Sequence, residues 1–496
     1  MLLAPGVGEA IAAPGPTVRI DSGPLTGEAN GDLLTFKGVP YAAPPIGALR
    51  WATPRPPASW TAPRPARDYG AICPQPINAD GSPNAGGATG ATGEDCLFLN
   101  VWAPTGAKRA PVMVWLHGGA NALGAGSLGA YDGSAFVRDG VILVTLNYRL
   151  GALGFFAHPA LTRAASPGEP LVAYGVMDQI AALQWVKRNI AALGGDPANV
   201  TLFGESAGGE DALILMASPL ARGLFAKVIV ESGGGWSPPV TLAERERQGE
   251  TLVAKAGAPK DATLAQLRAL PVAALTGNAE SLEFGPAVDG RLLPESVSQA
   301  FAAGHAARVP LIIGTNSFEA SLMASFKVPP AAVLAVAPAT VKAAYADIPD
   351  DTAKAQAMFT DSFMGAPARW VAGKAAGPAH LYHFAYVASM LRATSPGAGH
   401  DTEIPFVFDS WDHLGALVKF LKLTDQDRAM TALVHGCWVA FAKTGAADCA
   451  GGWPVYSRAT DALLQFDDPT AVKTGFRKAQ YDAQEAATLP KLGLAK

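Results

Sequence analysis

The sequence lacks any run of lysine or arginine, and its 38 basic residues are outnumbered by 42 acidic ones, for a net charge of −4. A basic face for nucleic acid has no material here, so no nucleic-acid partner is expected. Charge of either sign is scarce at 16%, against 49% hydrophobic residues, which excludes a disordered chain. No apolar run reaches the length of a membrane span; the richest, VILVTLNYRLGALGFF, is interrupted by Asn147 and Arg149. There is no CxxC and no Cys/His cluster with zinc spacing, so no metal site is expected. The four cysteines fall as two local pairs, Cys73 with Cys96 and Cys437 with Cys449, a pattern open to four buried thiols or two disulfides. The opening MLLAPGVGEAIAAPG lacks the basic start and apolar centre of an intact leader. It reads as the remnant of a trimmed secretory leader ending near Ala13, which predicts a secreted or periplasmic protein.

Short β-branched runs are plentiful: VMVWL (112–116), VILVTL (141–146), VTLFG (200–204), KVIVE (227–231) and PLIIG (310–314). They lack clean alternation, which suits strands buried on both faces of a mostly parallel sheet. Between the second and third runs, Ile180, Leu183, Val186, Ile190 and Leu193 recur at helical spacing until Gly194 and Gly195 stop the helix. Strands alternating with helices predict an α/β fold with crossover connections. Residues 79–93 and 392–402 read as loops, and the Ala-rich stretch 320–376 as a helical cap over a site. No repeat and no long linker divides the chain. A single domain spanning 1–496, with insertions, is therefore expected although length alone suggests two to four.

Gly204-Glu205-Ser206-Ala207-Gly208 fits G-x-S-x-G, with the strand VTLF before it and the helix candidate ALILMA after it. In that motif the serine sits on a strained strand-to-helix turn as a nucleophile. His117-Gly118-Gly119-Ala120 follows a strand and resembles the turn whose N–H groups make an oxyanion hole, here Gly119 and Ala120 with Ala207. Of eight histidines, His400 lies on a loop late in the chain, where the order serine, acid, histidine puts the base. His380 and His383 are three apart on a strand, on opposite faces, and cannot share a metal. Glu319, five residues beyond the strand PLIIG, is the favoured acid, with Asp361 and the Asp350–Asp351 pair as rivals.

The chain resembles the type-B carboxylesterases, the α/β-hydrolase family that includes the cholinesterases. The blocks FKGVPYAAPPIGALRW, EDCLFLNVW, YGVMDQIAALQWVKRNIAALGGDPANVTLFGESAGG and GHDTEIPFVF carry the resemblance over almost the whole length. It implies an α/β-hydrolase fold with a large, mostly parallel sheet and helical cap insertions. It also implies serine carboxylesterase activity on small-molecule esters through Ser206, Glu319 and His400, without a cofactor. Ser232 and Glu403 match positions that support the histidine from behind. Cys73–Cys96 matches the family's first disulfide, and Cys437 and Cys449 stand as the second pair at shorter spacing. Arg50 with Glu94 and Arg149 with Asp178 resemble its structural ion pairs.

Departures from the family cluster at the site. The family continues SAGG with a small or apolar residue, then Ser and Val, where this chain has Glu210, Asp211 and Ala212; Asn121 replaces the aromatic after HGGA. On helical geometry Glu210 shares the serine's face and Asp211 is rotated away. Either both acids complement the helix N-terminus, or Glu210 and Asn121 make the substrate pocket unusually polar. Trp236, Phe318, Met323, Phe363 and Met364 are further pocket candidates. A non-catalytic adhesion module on this fold would lack the serine or histidine, and both are kept. An acyltransferase or lipase would use the same triad and stands beside the esterase reading.

Overall fold

The structure is a computed structural model and describes residues 15–236, 238–276, 283–415, 422–449 and 451–494. Residues 1–13, read above as the remnant of a leader, lie outside the described residues. The strands run β1 (Thr17–Ile20), β2 (Gly23–Thr26), β3 (Glu28–Asn30), β4 (Leu33–Pro40), β5 (Arg64–Pro65), β6 (Phe98–Pro104) and β7 (Ala110–Leu116). They continue with β8 (Ile142–Leu146), β9 (Gly195–Glu205), β10 (Lys227–Glu231), β11 (Leu311–Asn316), β12 (Ala379–Phe384), β13 (Ala462–Phe466) and β14 (Ala471–Thr474). Strands β1, β2 and β5 form a small sheet; the others form one large sheet ordered β3-β4-β6-β8-β7-β9-β10-β11-β12-β13-β14. Every neighbouring pair from β8 to β13 is parallel. Antiparallel pairs are confined to the flanks.

Parallel neighbours need crossovers, and the crossovers are helical, covering both faces. That coverage explains the uninterrupted apolar runs. Val112, Val114 and Leu116 of β7 enter one core, and Met113 and Trp115 the other. Val228 and Val230 of β10 likewise face opposite to Ile229, as Leu311 and Ile313 of β11 do to Ile312. The periodic helix spans Tyr174–Asn189, tightens to a 3-10 turn at Ile190–Leu193, and ends at Gly194 with φ 84°. Only glycine takes that left-handed conformation without a Cβ penalty.

The stretch read as helical over 320–376 carries helices Leu322–Ser325, Pro330–Val336, Ala339–Ala343, Asp351–Thr360 and Ala366–Lys374, with a π turn at Asp361–Gly365. Both cysteine pairs are disulfide-bonded, Cys73–Cys96 and Cys437–Cys449. Such bonds persist in oxidising compartments. The two expected ion pairs form: Arg50 with Glu94 at 2.5 Å and Arg149 with Asp178 at 2.7 Å. Among the described residues no single helix is long and apolar enough to cross a membrane.

Candidate active site

The candidate residues gather at the carboxyl ends of the central strands, where ligands bind in open parallel sheets. His117–Asn121 follow β7, Ser206 follows β9, Ser232 follows β10, Glu319 follows β11 and His400 follows β12.

Ser206 sits between β9 and the helix Ala207–Ala217 at φ 55°, ψ −124°. A non-glycine residue is rare there and costs on the order of 1–3 kcal/mol. Its N–H donates to the Glu231 carbonyl at 2.9 Å, fixing the turn. The flanking glycines are steric necessities. A Cβ on Gly208 would lie 2.0 Å from the Leu116 carbonyl oxygen, and one on Gly204 2.5 Å from the Gly208 carbonyl oxygen.

The loop bearing His400 is fastened to the loop bearing Glu319. Phe318 N–H donates to the Ala398 carbonyl at 2.8 Å, and His400 N–H to Ser321 Oγ at 2.9 Å. The Asn316 side chain donates to the Gly399 carbonyl at 2.8 Å and also to Glu403. Glu319 is wholly buried. Its Oε2 accepts from His400 Nδ1 at 2.6 Å. Its Oε1 accepts from Ser232 Oγ at 2.5 Å, Thr315 Oγ1 at 2.9 Å and the Asn316 N–H at 2.7 Å. Burial pushes this carboxyl up, but the imidazole and these donors hold it below its ordinary value. Ser232 thus supports the histidine through Glu319. Asp361, the rival acid, is instead held by Arg477 and by Tyr345 Oη at 2.6 Å, and Asp350 caps the helix Asp351–Thr360.

The second nitrogen of His400, Nε2, lies 2.9 Å from Glu205 Oε1, off the alignment of a hydrogen bond, so neither atom has a hydrogen-bonding partner among the described residues. Ser206 Oγ is not hydrogen-bonded to it either, a common state of such sites without substrate. Burial alone would lower the His400 pKa; Glu205 and Glu319 together raise it well above the ordinary value.

Gly119 has φ 103°, and Ala120 and Asn121 follow at 54° and 57°. This curl turns the Gly119 and Ala120 amides out of the turn's own bonding. Neither they nor the Ala207 amide donate to a described protein acceptor. Three free N–H groups beside a serine can receive an oxyanion. His117 is buried, its ring stacked on Tyr148 at 4.5 Å, and burial lowers its pKa to about 4. It is a neutral brace for the turn.

Helical-wheel reasoning and the structure part company at the two acids. The helix Ala207–Ala217 is buried nearly all round, so the serine's face is no guide to the interior. Glu210 is half-buried and lines a groove with Leu213, Gly235, Pro239 and Val288. Asp211 is wholly buried: Oδ1 accepts from Asn121 Nδ2 at 3.1 Å and Oδ2 from Gln179 Nε2 at 2.5 Å. The Asn121 amide, expected on the pocket wall, is therefore engaged by Asp211 and only 3% exposed.

Trp236 Nε1 donates to the Ser362 carbonyl at 3.3 Å, on the π turn that carries Phe363 and Met364. Phe363 is 39% exposed and packs on Phe326 and Phe359; Met323 is buried, and Phe318 is half-buried in its bridge to Gly399. Sequence reasoning missed Glu205, Gln179, Thr315 and Ser321 as neighbours of the site, and it named Asp211 but turned it away from the interior. The acid between the motif's glycine and serine was the available signal for Glu205; the others meet their partners only across elements.

The profile of the carboxylesterase family matches residues 14–348 and 338–484. The para-nitrobenzyl esterase of Bacillus subtilis (strain 168) is 36% identical over 478 residues, covering 92% of this chain and 96% of its own. The cocaine esterase of Homo sapiens is 31% identical over 528 residues, covering 95% of this chain and 91% of its own. A solved structure of a PNB esterase superposes with a TM-score of 0.81 at 33% identity, covering 94% of this chain and 99% of that one.

Proposed function

Because the chain belongs to the carboxylesterase family and is a carboxylic ester hydrolase, we propose that it works through an acyl-enzyme on Ser206, with His400 as base and Glu319 as the acid that orients it. The observation that carries this reading is the 2.6 Å contact between Glu319 Oε2 and His400 Nδ1. It fixes the proton on Nδ1 and leaves Nε2 as the basic nitrogen.

His400 Nε2 takes the Ser206 hydroxyl proton as Oγ bonds to the ester carbonyl carbon. The carbonyl oxygen becomes an oxyanion held by the N–H groups of Gly119, Ala120 and Ala207. Collapse breaks the bond to the alcohol, which leaves with the proton from His400. Water then enters, gives a proton to Nε2, attacks the acyl carbon and releases the carboxylic acid, regenerating Ser206. The Ala-rich helical stretch over 320–376 serves as the cap of a single catalytic domain spanning 1–496. Trp236, Phe318, Met323, Phe363 and the half-buried Glu210 serve as pocket wall. The disulfides support an extracytoplasmic, secreted or periplasmic, setting.

Replacement Ser206→Ala is expected to abolish p-nitrophenyl ester hydrolysis with the fold intact, and an organophosphate is expected to label only the wild-type serine. Substantial turnover by the variant would remove the assignment.

A further inference from the structure

Two successive non-glycine residues, Ala120 and Asn121, hold left-handed φ values of 54° and 57° in the turn that follows β7. Alanine resists this conformation, although asparagine adopts it more readily than other L-residues, so contacts from outside the turn matter. Asn121 is secured at both ends. Its carbonyl accepts from the Gly151 N–H at 2.7 Å, and its side chain donates to Asp211 Oδ1 at 3.1 Å. Asp211 belongs to the helix that begins directly after Ser206. One buried carboxylate therefore joins the nucleophile's helix to the oxyanion turn, and Gln179 of the helix Tyr174–Asn189 steadies it from the other side at 2.5 Å.

We propose that Asp211 is a positioning residue for ester hydrolysis, and that its ionised carboxylate, acting through Asn121, holds the Gly119 and Ala120 amides where the oxyanion forms. This rests on the acyl-enzyme reading above. Charge is essential to it, because an ionised carboxylate accepts only. It forces both amides to present their NH2 groups, and accordingly Asn121 Oδ1 and Gln179 Oε1 are left buried without partners. A protonated Asp211 has one donor and one acceptor oxygen, so it no longer requires Asn121 to present its NH2 group, and the anchor loosens.

The carboxylate meets no compensating cation: no described Lys, Arg or His pairs with it. The titratable groups facing it are Glu210 on its own helix and the Tyr148 phenol, which burial first and Asp211 second hold well above its ordinary value. From the turn and from the Gln179 helix it meets only amides. Burial pushes Asp211 up to about 7, with the Gln179 and Asn121 hydrogen bonds opposing. The anchor is thus half-populated near pH 7, fills as pH rises above it and empties as pH falls.

The test compares wild type with Asp211→Asn and Asn121→Ala on p-nitrophenyl acetate across pH, with unfolding midpoints recorded. At pH 9 each variant should lose kcat by roughly ten-fold, less than the roughly 10²–10³-fold of a donor removed outright because the amides are displaced and not lost, with KM within about two-fold. The double variant should lose no more than either single one. Just below pH 7, log kcat/KM of wild type should steepen to a slope of about 1.5 over about one pH unit, from His400 together with the ten-fold loss on protonation of Asp211, while Asp211→Asn keeps a slope of about 1. An aryl trifluoromethyl ketone, whose hemiketal oxyanion occupies the same amides, should bind the variants about ten-fold more weakly. Unchanged kcat and an unchanged slope in Asp211→Asn would overturn the proposal, as would additive losses in the double variant. If Asp211→Asn does not fold, Asn121→Ala reads the same link from the turn, and an unchanged kcat there also overturns it. Wild-type hydrolysis that depends on Ser206 tests the acyl-enzyme separately, so the two failures are distinct.

Discussion

Oε1 of Glu205 lies 2.9 Å from Nε2 of His400, while Oε2 of Glu319 lies 2.6 Å from Nδ1, so the imidazole is held between two carboxylates. The ring is buried, which penalises its charge, yet the pair holds its pKa well above 6.5. A base must be neutral to accept the serine proton, so hydrolysis should rise with pH through that raised value. Glu205→Gln removes one carboxylate and should move the acid limb of kcat/KM down by about 1 pH unit or more. An unmoved limb would show that Glu205 does not govern the histidine. For stability the sign is opposite. A group raised in the folded state stabilises fully below its unfolded value near 6.5, and loses that contribution as pH climbs through the folded one.

Glu319→Gln should cost more than a charge. The carboxylate accepts from Ser232, Thr315, Asn316 and His400, whereas an amide presents donors to part of that ring of donors. The imidazole then loses its fixed tautomer, and kcat should fall on the order of 10⁴-fold. Rates on p-nitrophenyl acetate at pH 8–9 check this, and a loss under ten-fold would remove Glu319 from the mechanism.

Two glycine replacements should act with opposite sign. Gly208→Ala would drive a Cβ to 2.0 Å from the Leu116 carbonyl oxygen, backbone that cannot yield without moving β7. Little soluble, active protein is expected. Gly436 lies within the helix Asp425–Thr444 with no atom within 4 Å of an added Cβ. Gly436→Ala should keep full activity and raise the unfolding midpoint, in line with a helix gain of up to about 1 kcal/mol. Soluble yield and thermal melts read both.

Arg149 and Asp178 form a buried bidentate pair, 3% and 0% exposed. Removing either partner leaves an uncompensated buried charge, at about 3–5 kcal/mol. Arg149→Met should therefore lower the unfolding midpoint sharply. The double variant Arg149→Met/Asp178→Leu should recover part of that loss, and a further drop would contradict the ion-pair account.

Much of the site was legible because its chemistry is written locally. G-x-S-x-G between a strand and a helix specifies an elbow that glycines alone can close, and HGGA specifies a turn with outward amides. His400 and Glu319 could be chosen from rivals by chain order and by position after a strand, and the Arg477 contact of Asp361 agrees with that choice. The two acids after the serine were not readable in this way. Helical angles relate a residue to its neighbours along the helix, and they carry no information once every face of the helix is covered.

The sequence by itself determined the alternation of strands and helices, the serine's strained turn and the absence of a long apolar span, since each depends on residues close together in the chain. Tertiary structure alone decided that Glu205 faces the free nitrogen of His400, and that Asp211 rather than Glu210 is the interior acid. Those contacts join residues 195 and 90 positions apart. Which side chain meets which across such spans is set by how β9, the oxyanion turn and the His400 loop converge at one end of the sheet.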